Sequence, residues 1–315
     1  MLEQISKDIY RLVVEFPPGN EETNCYLIKG ANGYTVVDTG IYSEHAIQIW
    51  RKALGTDIKV EKVVLTHVHQ DHIGLAGWFQ RELGVPVVMS EKGYQLTKRL
   101  RSASNVERLN NILPNYGGPR LPSDMMEDDS FIFAVEPDQI FHEQDKIYLG
   151  DDAYEVIWTP GHAPDHFCFY NRERKLMIVG DHILKAISPV IGLWEGEEGN
   201  PLKDYYHSLK AVEPYETALA LPGHGEVMEN FQERVRQTRQ KHDQRLEQVM
   251  SLVNEKPTTA AEVCRKIYGE RPFPSMLSTF MASLTRLLYL EEQGRIRRVE
   301  VDGVSCFHPI EEDKA

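Results

Sequence analysis

The sequence has few cysteines, and none of them stands in a pairing or metal-binding motif. Its four cysteines are scattered over 315 residues, and no two are spaced as Cys-x-x-Cys. Closely spaced cysteines are typical of small secreted domains, whereas scattered single thiols are typical of a reducing compartment. We therefore expect a cytoplasmic protein with free, buried thiols at Cys25, Cys168, Cys264 and Cys306.

Long apolar runs and an excess of positive charge are also missing. No segment is long enough to cross a bilayer, and the acidic residues near the N-terminus do not fit a signal peptide. The formal net charge of −13 argues against a general affinity for nucleic acid or for anionic membranes. The sequence therefore predicts no membrane partner, although a local basic patch is compatible with this charge.

The hydrophobic pattern divides the chain into two parts. Strand and helix patterns recur over residues 1–228, which is typical of a β-rich α/β catalytic domain. Within it, residues 93–143 are less regular and are interpreted as an insertion. Residues 229–315 begin with one long helix, followed by two shorter helices and a hairpin around Asp302-Gly303. This second part resembles a small winged-helix domain, and we place the boundary near residue 228.

The segment Thr66–Gly74 carries the strongest chemical signal. Three histidines and one aspartate fall within six residues, directly after an apolar strand and before a helix. Alternate residues of an extended chain share a face, so His67 and His69 point the same way. Asp71 and His72 come as the chain turns into the helix and can point to a neighbouring position. This arrangement suits two metal centres better than one.

Three later segments have the same local form, a strand end followed by a glycine turn. They contain the motifs Pro-Gly-His, Gly-Asp and Pro-Gly-His-Gly, and they bring His162, Asp181 and His224 to strand ends. Each motif alone is usually only a turn, because glycine permits backbone shapes that other residues avoid. Together with the first cluster, they supply the ligands that two four- or five-coordinate metal ions need.

In this order, HVHQDH, PGH, GD and PGHG resemble the metallo-β-lactamase superfamily over roughly residues 8–228. The opening segments TNCYLIKG and TVVDTG resemble its first strands. The resemblance implies an α/β fold, a four-layer αββα sandwich, with the site along one edge. It also implies one metal held by His67, His69 and His162, and a second metal held by Asp71, His72 and His224. In the same resemblance, Asp181 bridges both metals and Asp38 supports the loops.

The implied chemistry is hydrolysis by a hydroxide that bridges two divalent ions. Zinc is the expected metal, with manganese or iron as alternatives, because such ions lower the pKa of bound water to about 7. Asp71 is the candidate catalytic residue, either to orient the nucleophile or to return a proton to the leaving group.

The substrate stays open among esters, thioesters and phosphodiesters. The ligand set resembles glyoxalase II-type thioesterases, N-acyl homoserine lactonases and β-lactamase-like endoribonucleases that carry a C-terminal winged helix. An aspartate at the bridging position disfavours lactam hydrolysis. An endoribonuclease acting on single-stranded RNA, an iron sulfur dioxygenase and a metal-binding DNA regulator are the alternatives. A small-molecule substrate is favoured, and a homo-oligomer stays open.

Further histidines and a basic helix face have less specific signals. His166, His182 and Lys185 lie next to predicted ligands and are candidate substrate contacts, but for His166 the alternative of a structural hydrogen bond is favoured. Five other histidines lack ligand spacing, which indicates surface or hydrogen-bonded core positions: His45, His142, His207, His242 and His308. The long helix has a basic side, interpreted as a solvated face with a phosphate or nucleic-acid contact as the alternative, at Arg234, Arg236, Arg239, Lys241 and Arg245.

Overall fold

Two β-sheets form the centre of the structure. The computed structural model describes residues 1–16, 21–126, 128–253 and 256–310. In this part of the chain, a seven-stranded sheet has the order β1 to β7, and a five-stranded sheet has the order β12-β11-β10-β9-β8. The first sheet consists of β1 (Glu3–Ser6), β2 (Ile9–Phe16), β3 (Glu21–Lys29), β4 (Tyr34–Val37), β5 (Val60–Val64), β6 (Val87–Ser90) and β7 (Gln139–Phe141). The second consists of β8 (Lys146–Leu149), β9 (Asp152–Trp158), β10 (Phe167–Asn171), β11 (Leu176–Gly180) and β12 (Leu219–Pro222).

The two sheets pack face to face through alternating side chains. On β10, Phe167 and Phe169 belong to a core that also contains Ile28 and other residues of the first sheet. Cys168 and Tyr170, which point to the opposite face, belong to a different core beneath helices. Because both faces of the strand are covered, the residues from Phe167 to Tyr170 do not alternate between apolar and polar types.

Helices cover the outer face of each sheet. The apolar sides of α1 (Glu44–Leu54), α3 (Ala76–Leu83) and α4 (Glu91–Leu100) share a core with the first sheet. Two short helices, α2 (Gln70–Ile73) and α5 (Asn105–Asn110), follow β5 and α4, and α6 (Pro201–Val212) packs on the second sheet. The predicted α/β layering, helix–sheet–sheet–helix, is therefore confirmed.

The C-terminal part has the predicted element order. It consists of α7 (Phe231–Leu252), α8 (Ala260–Tyr268), α9 (Ser275–Glu292), β13 (Ile296–Val301) and β14 (Val304–Pro309). Apolar residues of these elements, including Val249, Leu284 and Phe307, share one core with Tyr205 of α6 and Val179 of β11. The boundary at residue 228 and the winged-helix assignment stay predictions.

Residues 93–143, interpreted from the sequence as a less regular insertion, contain both helices and a strand. They contain most of α4, the whole of α5, two single 3-10 turns and β7, which pairs in parallel with β6 at the edge of the first sheet. Three strand residues are too few to produce a recognisable sequence period. The four cysteines are free and buried. No helix in the described residues is long and apolar enough to span a membrane.

Candidate metal centre

Asp38 links the ends of two neighbouring parallel strands. It follows β4, and its backbone has a φ of 59°, which is unusual for a residue with a side chain. Its carboxylate accepts hydrogen bonds from the backbone N–H and the hydroxyl of Thr66, which follows β5, each at 2.8 Å. The same carboxylate lies 2.8 Å from His72 Nδ1. Asp38 therefore holds the motif-bearing loop and fixes the orientation of one histidine in it.

Three imidazoles form the first group of candidate ligands. One ring nitrogen each of His67, His69 and His162 lies within 4.8 Å of the others. His67 Nδ1 is 3.0 Å from the hydroxyl of Thr66, and His162 Nδ1 donates to the carbonyl of Val190 at 2.9 Å. Among the described residues, His67 Nε2 and His69 Nε2 are buried without a hydrogen-bond partner. Buried polar atoms normally have partners, so these lone pairs fit a metal ion.

Two carboxylates and two imidazoles form the second group, Asp71, His72, Asp181 and His224. His224 Nε2 lies 3.1 Å from Asp71 Oδ2 and 3.1 Å from Asp181 Oδ2. His72 Nε2 lies 3.6 Å from both carboxylates. Asp181 Oδ2 is also 3.3 Å from Nε2 of His162, so this aspartate stands between the two groups. The structure thus brings all seven predicted ligands together.

The two groups differ in their electrostatics. Burial lowers the pKa of His69 to about 3, and it lowers the pKa of His67 well below its usual value. Burial alone would also lower the pKa of His72, but Asp71 and Asp181 raise it to about 10. His67 and His69 therefore offer neutral lone pairs, whereas the second group concentrates negative charge. Nitrogen and carboxylate donors in this mixture suit divalent ions such as zinc.

A cavity of about 400 Å³ opens on these ligands. His69, Asp71 and His162 form part of its wall, and Arg108 and Glu195 add two charged groups. Most of the remaining wall is apolar and includes Val68, Leu96, Leu109, Phe133, Trp194 and Leu277. The cavity therefore presents a mainly apolar surface to whatever approaches the metal ligands.

The three candidate substrate contacts do not line this cavity. His166 is buried, accepts the backbone N–H of Asp181 at 3.0 Å and donates to Thr159 Oγ1 at 2.8 Å. His182 is buried against Tyr205, with ring centroids 5.3 Å apart, and Lys185 is exposed elsewhere. For His166, the structure supports the alternative of a structural hydrogen bond that orients the Asp181 backbone.

Residues of the 93–143 segment and the histidines without ligand spacing are dispersed. Met126 lines the cavity and its neighbour Met125 is exposed, whereas the hydroxyl of Tyr116 contacts Glu198 and Arg298. The histidines without ligand spacing lie outside the two ligand groups: His45, His142, His207, His242 and His308. For His242, the expectation of a surface or hydrogen-bonded core position is wrong. It is buried as a core histidine would be, but neither ring nitrogen has a partner within the described residues.

The sequence analysis missed two supporting residues. Thr66, directly before the motif, connects Asp38 to His67. Asp165 is buried, accepts the backbone N–H of Val68 at 3.0 Å and has its pKa raised by burial to about 7. Its place in GHAPDH, three residues after His162, was the available signal.

Comparison with known proteins agrees with this site. A family model described as the metallo-beta-lactamase superfamily matches residues 18–224, which include every candidate ligand. The chain belongs to this superfamily. It is 26% identical over 277 residues to Probable metallo-hydrolase YqjP of Bacillus subtilis (strain 168), covering 84% of this chain and 86% of that protein. It is also 26% identical over 264 residues to an Atrochrysone carboxyl ACP thioesterase of Aspergillus fumigatus, covering 79% of this chain and 69% of that protein.

Solved structures of the superfamily match nearly the whole chain. A metallo-beta-lactamase family protein from Thermus thermophilus has a TM-score of 0.83 at 26% identity, covering 96% of this chain and 99% of that one. A beta-lactamase domain protein from Burkholderia ambifaria has a TM-score of 0.85 at 26% identity, covering 98% of this chain and 93% of that one. This protein is therefore a metal-dependent hydrolase. The conclusion follows from its family membership, its hydrolase relatives and its ligand cluster.

Proposed function

We propose that this superfamily member is a dinuclear zinc hydrolase of esters or thioesters with an apolar acyl group. The observation that carries the proposal is the position of the mainly apolar cavity. Its wall includes His69, Asp71 and His162, one or more members of each ligand group, so a bound acyl carbonyl would lie beside both metal positions.

Seven side chains would hold the two ions. In this proposal His67, His69 and His162 hold the first ion, and Asp71, His72 and His224 hold the second. Asp181, which lies between both groups, would contact both ions. Ions bound there would lower the pKa of water enough to supply a nucleophile near neutral pH and would polarise the substrate carbonyl.

Asp71 is the proposed proton-handling residue. Its Oδ2 atom lies 3.1 Å from His224 Nε2, and its side chain also lines the cavity. The pKa of Asp71 is lowered, against the effect of burial, by the charge of His72 and the hydrogen bond from His224. An ionised carboxylate at the cavity wall can accept a proton from the attacking water and return it to the leaving group.

The apolar wall is the basis for the acyl specificity. Burying a methylene group contributes about 0.8 kcal/mol, or about fourfold in affinity, so Leu96, Leu109 and Trp194 would favour longer acyl chains. A polyanionic backbone would meet few cations there, since Arg108 is balanced in the wall by Glu195 and Asp71. The named thioesterase among the relatives supports a thioester in particular.

The metal part of the proposal is tested by replacing His67 and His69 with alanine together. We expect two zinc ions per wild-type chain by elemental analysis, and loss of first-site metal together with activity in the double variant. His45→Ala is the matched control, because His45 is exposed and outside both ligand groups. Full turnover by a double variant that has lost its metal would contradict the mechanism.

The substrate part is tested with a panel of p-nitrophenyl esters and N-acetylcysteamine thioesters of increasing acyl length. We expect kcat/KM to rise by up to about fourfold per methylene until the cavity is filled. Met126→Trp should abolish this increase for long chains, and Met125→Trp should not, since only Met126 lines the cavity. A model phosphodiester and single-stranded RNA belong in the same panel. Faster turnover of either would contradict the acyl proposal.

The C-terminal part is proposed as a winged-helix-like unit beginning near residue 229. The order α7, α8, α9 and the β13–β14 hairpin supports it. Proteolysis of the native protein tests the boundary, because a separate unit would release a stable fragment cut near residue 228. The shared apolar core of Val249 and Val179 would delay that cut relative to an exposed linker.

A further inference from the structure

A second cavity, of about 550 Å³, lies beside α7. Its walls come from α7, from α9 and from the segment after β11. The residues that matter for its chemistry are Ser188, Lys241, His242, Arg245, Gln248 and Arg286. Three of these six carry a permanent positive charge in a protein whose formal net charge is −13.

The three cations of this cavity have no carboxylate partner within 4.0 Å in the part of the chain that the structure describes. Arg286 is only 9% exposed. It donates to the carbonyl of Ala282 at 2.5 Å, and its Nη1 atom is 3.4 Å from the hydroxyl of Tyr268. Its Nε atom is buried without a partner among the described residues. Burying a charged group without an opposite charge is costly, which indicates an anion site.

His242 is a second, independent sign of a ligand site. It is 4% exposed, and both ring nitrogens lack a partner in the described ranges. Burial, followed by the charge of Arg286, lowers the pKa of His242 to about 3, so the ring is neutral and offers one N–H donor. Tyr205 packs against the ring with centroids 5.3 Å apart but gives it no hydrogen bond. A buried histidine with two orphaned nitrogens beside a buried arginine needs a polar occupant.

This cavity is separate from the one at the metal ligands, because the two walls share no residue. They approach each other at one segment, where Ser188 lines the second cavity and Val190 lines the first. Arg234 fixes this segment by donating to the carbonyls of Leu184 and Ile187, each at 2.6 Å. An anion in the second cavity therefore has its own binding groups and does not depend on metal.

We propose that this cavity binds the phosphate group of a phosphorylated small molecule. Arg286 and Arg245 carry forked N–H donors that match phosphate oxygens, and the exposed Lys241 adds a third positive charge to the wall. His242 adds a neutral N–H donor from the buried side. The volume lies within the range of about 300–1,000 Å³ that is usual for small-molecule pockets, so the occupant is larger than phosphate alone.

The test is calorimetric titration of the metal-loaded protein with inorganic phosphate and with pyrophosphate at low ionic strength. The informative variant is Lys241→Gln/Arg245→Gln, whose residues are exposed and whose loss does not threaten the core. The matched control is Arg236→Gln/Arg239→Gln, on the same helix with the same change in charge but outside the cavity. We expect saturable pyrophosphate binding that the first variant weakens at least about tenfold and the control leaves within about twofold. Any binding at the metal centre is common to all three proteins and cancels in the comparison.

Four outcomes would overturn the proposal. Equal weakening by both double variants would mean a diffuse charge effect rather than a site. Binding unchanged by Lys241→Gln/Arg245→Gln, or no saturable binding of either anion, would leave the cavity without this role. Competition of single-stranded RNA with pyrophosphate, together with weaker RNA binding by the control variant, would indicate a nucleic-acid surface instead.

Discussion

Replacing Asp38 with alanine tests how the metal ligands are held. The change removes the acceptor for three buried donors, which are the backbone N–H and hydroxyl of Thr66 and Nδ1 of His72. A buried donor left without a partner costs about 1–3 kcal/mol, so we expect a loss of at least about 3 kcal/mol in the free energy of unfolding. Because His72 loses its orienting carboxylate, metal affinity should also fall by about 10- to 100-fold.

Two measurements separate these effects. Urea denaturation of the metal-free protein gives the stability loss, and competition with a chelator gives zinc affinity. Asp138→Ala is the matched control, since Asp138 accepts the backbone N–H of Val87 at 2.9 Å but is not part of either ligand group. We expect the control to lose stability and keep its zinc affinity. A folded Asp38→Ala protein with unchanged zinc affinity would refute the assigned role of Asp38.

Three further changes probe the surroundings of the site. Gly223→Ala would place its methyl group against Asp181 and should reduce zinc to about one ion per chain by elemental analysis, in a protein with an unchanged circular dichroism spectrum. Asp165 has a folded pKa of about 7 against 3.8 unfolded, so its own contribution to stability, measured as the difference between the wild type and Asp165→Asn, should fall as pH rises from 3.8 to 7. Asp165→Asn can still accept a hydrogen bond from the Val68 N–H. The variant should lack this pH-dependent contribution when the metal-free protein is unfolded in urea. Arg234→Met should lower unfolding free energy by about 2–4 kcal/mol, because two loop carbonyls lose charge-assisted hydrogen bonds; an unchanged urea midpoint would contradict this.

The sequence was most informative where ligand geometry is local. His67 and His69 lie in one short loop and Asp71 lies in the first turn of the helix that follows it, so their spacing alone indicated a metal site. Asp181 and His224 could be added because each follows a strand with a glycine turn, and β11 and β12 are parallel neighbours. The carboxyl ends of such strands meet at one edge of the sheet. The fold class followed from the same recurring strand and helix patterns.

Sequence adjacency failed where the chain turns between two faces. His182 follows Asp181 directly, but the backbone turns at Gly180, with φ of 45°, and the two side chains diverge. Asp181 reaches the ligands while His182 enters the core beside Tyr205. The lining of the cavity was unpredictable for another reason. Its residues come from distant segments, such as Leu96 and Leu277, that only tertiary packing brings together.

The contrast between the ligand groups has a physical consequence for the metal-free fold. Asp181 is buried, Asp71 is partly buried and both are ionised, so without metal their charge is balanced by protons on His72 and His224. His67 and His69 of the first group are already neutral and need no such compensation. A cation entering the first group therefore meets free lone pairs, whereas one entering the second must displace protons. Asp181 belongs to the second group and lies 3.3 Å from His162 of the first. A cation bound in the first group would neutralise part of the charge of Asp181, so cation binding at one group affects cation binding at the other.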